Sequence, residues 1–384
     1  MDRLTPVIFT DARGSYVSIA SLQGRDIPSA QRESELWMGA HEEGPAGTDR
    51  EGSPDLAGVV AADPAAELGE ECVARFGPRL PFLLKVLAPG RAISIQAHPS
   101  AQQALEVRAA TGDAVYVDDW AKPELLLAIA PFEVFVGMRG HAEVAELVGR
   151  LAVPVLVEMA EKAGVCDDPV HAMLAAVLAT PAEEAADLAR EVVAACVRVE
   201  ASGDEFGEAA AAVVRVAEEH PDDIGLVVLL LMHHRVLQPG EYIDVAAGVL
   251  HSYVRGLGIE VLANSDNVVR AGLTNKAVNV PELLRIVDPL ADGVVGRGRV
   301  LEPGLEAFDS ASDRFRLHRV TPGRTLPESS GPRIVFCLRG RVTLTTASSS
   351  LELGDVGSAF LPAREGVVDL AGLGEVYVVS VPEE

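Results

Sequence analysis

The stretch AISIQAHPS, residues 92–100, alternates apolar and polar side chains immediately before a proline and a serine. In a β-strand, successive side chains point to opposite faces of the sheet. Ser94, Gln96 and His98 would then share one face, and an apolar face would back them. Such a strand can supply ligands to a site, although a lone histidine on a strand is more often a hydrogen-bonded structural residue.

Composition restricts the class of protein. The chain has 384 residues, 48% of them hydrophobic, which allows two or three domains with large cores. Lys and Arg number 32 against 57 Asp and Glu, a net charge of -25. A nucleic-acid or anionic-membrane partner would require a basic face, so we expect neither. Four widely spaced cysteines without a CxxC pair, and an N-terminus without signal-peptide regions, predict a cytoplasmic protein.

The pattern of the chain changes along its length. Up to about residue 138, short apolar runs broken by Gly and Pro indicate strands and turns. Residues 141–234 are rich in Ala, Glu and Val at helical spacing, and strands return from about residue 236. Within the helical region, Thr180 and Glu183 have the spacing of a capping box at a helix start.

Two β segments share a common pattern. Residues 238–253 (QPGEYIDVAAGVLHSY) and 352–368 (ELGDVGSAFLPAREGVV) each combine a Gly-acid turn, an apolar strand and a small-residue turn. The first contains His251, whereas the second has no histidine. This similarity predicts two related jelly-roll units, of which only the first carries chemistry.

Candidate metal ligands come from separate parts of the chain. Imidazole and carboxylate groups suit Zn²⁺ and other first-row divalent ions. Gln96 and His98 come from one strand face, His251 opens a second strand, and Glu124 precedes an apolar run. Each signal alone is weak, because a glutamate at the start of an apolar run is usually solvated.

Longer strings, taken together, are more specific. They are SELWMGAH (34–41), LPFLLKVLAPGRAISIQAHPS (80–100), KPELLLAIAPFEVFVGMR (122–139), LQPGEYIDVAAGVLHSY (237–253) and IEVLANSDNVVRAGLTNKAVNVPELLRIVDP (259–289). In this order they closely resemble the type I mannose-6-phosphate isomerases, zinc-dependent enzymes of the cupin superfamily. The resemblance runs from about residue 1 to 300, and NSDNVVRAGLTNK is its most specific part.

The resemblance implies a mainly β fold with an inserted α-helical domain and two jelly-roll (cupin) barrels. Residues 1–140 and 235–300 would form the catalytic barrel, 141–234 the helical insertion, and 301–384 a non-catalytic barrel. It also implies a monomer that acts on a small-molecule sugar phosphate.

The resemblance further implies a ligand set and an activity. One Zn²⁺ per chain would be held by Gln96, His98, Glu124 and His251, with one position open. The reaction would interconvert mannose 6-phosphate and fructose 6-phosphate through an enediolate. In the family the arginine of SDNVVRAGLT points at the substrate, and here it is Arg270. A fixed guanidinium and a metal can both stabilise negative charge that develops on oxygen.

The general base stays open between three residues. Glu260 lies among apolar neighbours, where burial would raise its pKa towards the working range, although a structural ion pair is the alternative. Lys122 and Asp266 are the other candidates. Ser94 and Lys276 are expected to contact the phosphate.

Two positions depart from the family pattern. DARGS has Arg13 where the family has tryptophan, and WAKPE has Trp120 and Ala121 where asparagine and histidine are expected. Trp120 would either stack on the sugar or pack in the core. These changes concern ring opening and sugar specificity. They leave two alternatives, a related isomerase for another sugar or sugar phosphate, and a non-catalytic sugar-phosphate-binding cupin.

Overall fold

The first part of the chain alternates strands with short helices. A computed structural model describes residues 1–203, 205–327 and 329–383. The strands before the main helical region are β1 (Asp2–Thr5), β2 (Val7–Ser15), β3 (Glu33–Met38), β4 (Gly47–Thr48), β5 (Phe82–Leu87), β6 (Ile95–Ala97), β7 (Glu124–Ala128) and β8 (Phe132–Met138). The helices between them are α1 (Ser18–Leu22), α2 (Leu56–Ala62), α3 (Pro64–Leu68), α4 (Glu70–Phe76) and α5 (Ala101–Thr111).

A run of helices follows, as the sequence pattern predicts. They are α6 (His141–Leu151), α7 (Pro154–Ala163), α8 (Pro169–Leu178), α9 (Ala182–Ser202), α10 (Gly207–Ala217) and α11 (Gly225–Leu230). In the described part of the chain, none of the helices combines the length and apolar character that a membrane span requires.

The predicted capping box at Thr180 is wrong. Helix α9 begins at Ala182 with Pro181 as its N-cap, and no side chain caps it. The hydroxyl of Thr180 instead donates to the carbonyl of Ala176 in the preceding helix, at 3.5 Å. A capping box does form at α5, between Ser100 and Gln103, directly after the strand that contains Gln96.

Strands make up most of the remaining chain. They are β9 (Met232–Leu237), β10 (Glu241–Val245), β11 (His251–Arg255), β12 (Gly258–Ala263), β13 (Val269–Gly272), β14 (Val294–Arg297), β15 (Arg299–Glu302), β16 (Leu305–Phe308), β17 (Arg316–Val320), β18 (Arg324–Thr325), β19 (Arg333–Thr345), β20 (Ser350–Leu353), β21 (Gly357–Leu361) and β22 (Asp369–Ser380). The helical elements in this part are α12 (Val280–Ile286) and a 3₁₀ turn at Ala363–Glu365. Another 3₁₀ turn, at Gly112–Ala114, follows α5 in the first part of the chain.

Within the described residues, the strands form three antiparallel sheets. One sheet has the order β14-β10-β7-β12-β5-β3-β2, and a second has the order β13-β6-β11-β8-β9. The third has the order β15-β16-β17-β22-β19-β21-β1-β4, with β18 against β22 and β20 against β19. The N-terminal strand β1 therefore pairs with C-terminal strands, across the domain boundaries expected from the sequence. Those boundaries stay a prediction.

The alternation expected around Gln96 is present on a shorter strand. Ile95 and Ala97 belong to the same apolar core as buried helix residues such as Leu226 and Val213. Because neighbouring strand residues face opposite sides, Gln96 points away from the helices. The helical region thus covers one face of β6 and leaves the other face for polar side chains.

A buried ion cluster crosses the seven-stranded sheet. Lys85 on β5 lies opposite Glu260 on β12, and its Nζ is 2.7 Å from Glu260 and 3.0 Å from Glu35 on β3. Burial by itself would lower the pKa of Lys85, but the charges of Glu260 and Glu35 outweigh burial and raise it. The indole N–H of Trp37 also donates to Glu35, at 2.7 Å. One ammonium therefore balances two carboxylates in the interior.

Replacing this ammonium should destabilise the fold strongly. Lys85→Met leaves Glu260 and Glu35 buried without their cation, and such a loss costs about 3–5 kcal/mol. Urea unfolding at pH 7 measures the change in the free energy of unfolding. Lys162→Met, which breaks an exposed pair with Glu158, is the matched control and should leave unfolding unchanged.

The loss should grow with pH. Burial already raises the pKa of Glu260, and without Lys85 that pKa rises further. A group whose pKa is raised on folding stabilises the fold at pH values below its unfolded pKa, about 4.3 for Glu, and loses this contribution as pH rises through the folded pKa. The variant should therefore be closer to wild type at pH 5 than at pH 8. An equal loss at both values would contradict a charged, unpaired Glu260.

Candidate functional site

Three predicted ligands converge where separate strands meet. His98 follows β6, Glu124 opens β7 and His251 opens β11. One donor atom of each lies within 4.8 Å of the others. His98 Nε2 is 3.2 Å from Glu124 Oε1, and His251 Nε2 is 3.4 Å from Glu124 Oε2. All three side chains are buried.

Backbone carbonyls set the tautomer of both histidines. Nδ1–H of His98 donates to the carbonyl of Asn267 at 2.7 Å. Nδ1–H of His251 donates to the carbonyl of Val249 at 3.0 Å. Because a carbonyl only accepts, each neutral ring carries its free lone pair on Nε2. Both lone pairs then face the carboxylate of Glu124.

The protonation states at this cluster suit metal ligation. Burial lowers the pKa of His98 to about 4, against the opposing effect of Glu124, so the imidazole is neutral near pH 7. Burial would raise the pKa of Glu124, but His98, Lys122 and His251 outweigh burial and hold that pKa well below its usual range. The neutral imidazole of His98 therefore faces an ionised carboxylate.

Gln96 adds a fourth polar group. It lies opposite His251 on β11 and opposite Arg270 on β13, and its amide nitrogen is 3.3 Å from His251 Nε2. The two ends of an amide are assigned from their contacts, and the reversed assignment brings the carbonyl oxygen to this place.

The residues present fit a divalent metal ion. His98 Nε2 is buried and has no hydrogen-bond partner among the described residues. Lone pairs of two imidazoles and a carboxylate repel one another at these distances unless a cation lies between them. Nitrogen and oxygen ligands of this kind are those of zinc sites. An ion at this place would remove the repulsion and satisfy the unpartnered nitrogen.

A cavity of about 200 Å³ lies beside this cluster. Most of the predicted site residues line it, namely Ser94, Gln96, Lys122, Glu124, Glu260, Asp266 and Arg270. His98 and His251 are fully buried and are not on its wall. The structure thus brings the predicted ligands, arginine and bases to one place, and their roles stay predictions.

Two predicted substrate contacts lie elsewhere. Trp120 is 7% exposed and does not line the cavity. The guanidinium groups of Arg79 and Arg314 lie over its ring, at 3.4 and 3.9 Å from the centroid. These contacts make Trp120 a packing residue, the second of its two alternatives, and correct the expectation that it stacks on a sugar. Lys276 is exposed in the segment after β13 and also does not line the cavity.

The three candidate bases differ in their surroundings. Burial raises the pKa of Glu260, and its Oε1 has no hydrogen-bond partner among the described residues. Lys122 Nζ lies 3.5 Å from Glu124 Oε1. Asp266 lies 3.3 Å from His41 Nε2, and the hydrogen bond from His41 lowers the pKa of Asp266. Glu260 is therefore the candidate with a free oxygen and a raised pKa.

Two arginines, Arg13 and Arg270, also line the cavity. Arg13 donates a hydrogen bond to Asp11 at 3.1 Å, and both residues line the cavity. Arg270 is half-buried, and burial together with the charge of Arg13 lowers the pKa of Arg270. In the described structure no carboxylate pairs with Arg270. The departure from the family pattern at Arg13 thus places a second guanidinium near the first.

Several wall residues were not predicted from the sequence. They are Asp11, Glu35, Trp37, His41, Lys85 and Tyr253. Lys85 had a usable signal, because a lysine within the apolar run FLLKVL must be paired when buried. Tyr253 had none, and its hydroxyl donates to Glu124 at 3.4 Å.

Comparison with known proteins identifies the family. The family model for the phosphomannose isomerase type I catalytic domain matches residues 3–141. The chain is 31% identical to mannose-6-phosphate isomerase of Escherichia coli (strain K12), over 98% of each chain, and 28% identical to mannose-6-phosphate isomerase 1 of Arabidopsis thaliana, over 91% of this chain and 84% of that one.

Solved structures agree with this result. A mutant of phosphomannose isomerase from Salmonella typhimurium superimposes with a TM-score of 0.88 at 29% identity, covering 99% of this chain and 98% of the other. A zinc-bound mannose 6-phosphate isomerase superimposes with a TM-score of 0.86 at 29% identity, covering 98% of both chains. With its full-length similarity and its histidine–glutamate cluster, the chain belongs to the mannose-6-phosphate isomerase family.

Proposed function

We propose that this chain is a zinc-dependent aldose–ketose isomerase that interconverts mannose 6-phosphate and fructose 6-phosphate. The observation that carries the proposal is the convergence of His98, Glu124 and His251 beside a cavity lined by Arg270 and Lys122. Full-length similarity to mannose-6-phosphate isomerases supports the choice of substrate.

Gln96, His98, Glu124 and His251 would hold the ion. Their combined charge is -1, so a bound Zn²⁺ would keep a net positive charge and supply a Lewis acid to substrate oxygens. The hydrogen bonds from His98 and His251 to backbone carbonyls hold both Nε2 lone pairs in place. Tyr253 and Lys122 approach the carboxylate of Glu124 and restrain its orientation.

Isomerisation moves a proton between C1 and C2 of the open sugar. We propose Glu260 as the carrier of this proton, and two observations support it: its Oε1 has no hydrogen-bond partner among the described residues, and its Oε2 lies 2.7 Å from Lys85 Nζ. Its raised pKa brings it closer to the working range of a general base. Lys122 and Asp266 remain the alternatives. Arg270 would stabilise the negative charge that develops on oxygen in the enediolate.

Phosphate recognition would fall to Ser94 and Lys276. Ser94 lines the cavity and offers a hydroxyl. Lys276 would reach the phosphate only through a movement of its exposed segment.

The finer features of the family are part of the same proposal. They are two jelly-roll barrels, a helical insertion at 141–234, a C-terminal barrel from residue 301, and a monomer. The free cysteines Cys72, Cys166, Cys196 and Cys337 favour a reducing cytoplasm.

Activity should depend on the ion. Removal of metal by a chelator should abolish conversion of mannose 6-phosphate, and added Zn²⁺ should restore it, because the residual cluster has no Lewis acid. A coupled assay of fructose 6-phosphate measures the rate, with zinc-saturated chelator as the control. Full activity of metal-free protein would overturn the proposal.

Arg270 should act mainly on the transition state. Arg270→Ala removes one stabiliser of developing charge, worth about 3 kcal/mol or roughly 10²-fold in kcat. Steady-state kinetics should show a fall in kcat much larger than the change in KM. Arg235→Ala, which removes a partly buried arginine that is paired with Asp292 and does not line the cavity, is the control. A raised KM with normal kcat would make Arg270 a phosphate anchor instead.

The residue at position 121 should limit the rate of ring opening. Alanine transfers no proton, whereas histidine exchanges protons near neutral pH. Ala121→His should therefore raise the turnover of mannose 6-phosphate, which we expect to be slow in the natural chain. Initial rates of both proteins with several hexose 6-phosphates test this expectation. Brisk turnover of a different sugar and none of mannose 6-phosphate would favour the related isomerase, the alternative that Arg13 and Ala121 support.

A further inference from the structure

Asn267 joins two parts of the site that are far apart in sequence. It lies between β12 and β13 and is 1% exposed. Its backbone carbonyl accepts the Nδ1–H of His98 at 2.7 Å. That hydrogen bond selects the tautomer of His98 and fixes the direction of its free lone pair.

The side chain of Asn267 binds a different segment. Its Oδ1 accepts from the backbone N–H of Val117 at 3.0 Å and of Asp118 at 3.4 Å. Its Nδ2 donates to the carbonyls of Asp118 at 2.8 Å and Trp120 at 2.9 Å, and to the Asp118 carboxylate at 3.0 Å. An amide offers two donors and two acceptor lone pairs, so its hydrogen-bonding capacity is fully used.

The segment held in this way leads directly into the site. Residues 117–123 form no helix or strand, so their backbone groups depend on side chains for partners. Lys122 and Glu124 follow Trp120 within four residues, and both line the cavity. The side chain of Asn267 therefore replaces a sheet or helix in positioning this stretch.

Ser265 reinforces the same connection. Its hydroxyl donates to the Asp118 carboxylate at 3.0 Å and accepts the backbone N–H of Asn267 at 3.2 Å. The turn around Asn267 is thus fixed to the segment by two side chains.

We propose that Asn267 is a positioning residue that sets the distance between His98 and the segment carrying Lys122 and Glu124. Its backbone carbonyl orients His98, and its side-chain amide holds residues 117–120, which lead to Glu124. The inference rests on the proposed function for the identity of the ion. Its physical content is that the affinity for zinc and the placement of Lys122 depend on one side chain outside the cavity.

The test compares three variants as whole chains. Asn267→Ala removes the amide, and Asn267→Asp keeps its shape and acceptor oxygen but loses the donors to Asp118 and Trp120. Asn264→Ala is the matched control, because this amide in the same connection donates to the Leu80 carbonyl at 3.1 Å and contacts neither segment of the site. Thermal unfolding of metal-free protein records any general loss of stability.

Zinc affinity, measured by competition with a chromogenic chelator, is the deciding quantity. Loss of a group that orients a metal ligand weakens affinity by about 10–100-fold. Both Asn267 variants keep the backbone carbonyl that binds His98 but lose side-chain hydrogen bonds that hold the segment before Glu124, so we expect the loss through displacement of that ligand. We also expect a lower kcat and a nearly unchanged KM, while Asn264→Ala stays at wild type. If Asn267→Ala does not fold, the more conservative Asn267→Asp decides.

The outcomes separate this inference from the proposed function. Wild-type zinc affinity in folded Asn267→Asp, or an equal loss in Asn264→Ala, would overturn the positioning role. If the zinc-loaded wild-type chain does not convert mannose 6-phosphate, while the Asn267 variants still bind zinc more weakly than wild type, the positioning role is retained and the proposed function is overturned. A purely structural role would lower the unfolding temperature of the metal-free variants and leave zinc affinity unchanged.

Discussion

The site depends on the electrostatic repulsion between buried lone pairs. The Nε2 atoms of His98 and His251 face the ionised carboxylate of Glu124 at distances of 3.2 and 3.4 Å, and the Nδ1–H of each ring is directed to a backbone carbonyl. All three side chains are buried, so solvent screens them little. A protein holds such an arrangement only where the surrounding structure fixes each group and a cation relieves the repulsion. The carbonyls of Asn267 and Val249 fix the histidines, and strand pairing places Gln96 beside them.

Charge is arranged differently in the rest of the cavity. The chain carries a net charge of -25, whereas the substrate that we propose for the cavity is itself an anion. Lys85 is fully occupied by Glu35 and Glu260, so it contributes little free positive charge. Arg270 has no carboxylate partner in the described structure, and Arg13 lies close enough to affect its pKa. The positive charge of the cavity that lacks a carboxylate partner in the described structure is therefore that of Arg270, which lies opposite Gln96 in the sheet.

The sequence predicted those features that depend on local pattern. Alternation of side chains placed Gln96 on the face opposite Ile95 and Ala97, and helical spacing located the helices after His141. The candidate metal ligands were brought together through resemblance, since residues from three distant segments of the chain give only weak local signals. The capping box predicted at Thr180 does not form, because the Thr180 hydroxyl donates to a carbonyl of the preceding helix. Sequence spacing alone does not reveal this contact. The place of Trp120 was likewise decided by Arg79 and Arg314, which are distant in sequence.

The unusual residues at 120 and 121 need not loosen the site. Two guanidinium groups pack against the ring of Trp120, and its carbonyl accepts a hydrogen bond from the amide of Asn267. The backbone that leads to Lys122 is therefore fixed on both sides before it reaches the cavity. Ala121 therefore lies in a segment whose backbone is held by other residues. Asn267, Arg79 and Arg314, which hold this segment, do not line the cavity, whereas Lys122 does, so most of the positioning contacts are separate from the cavity wall.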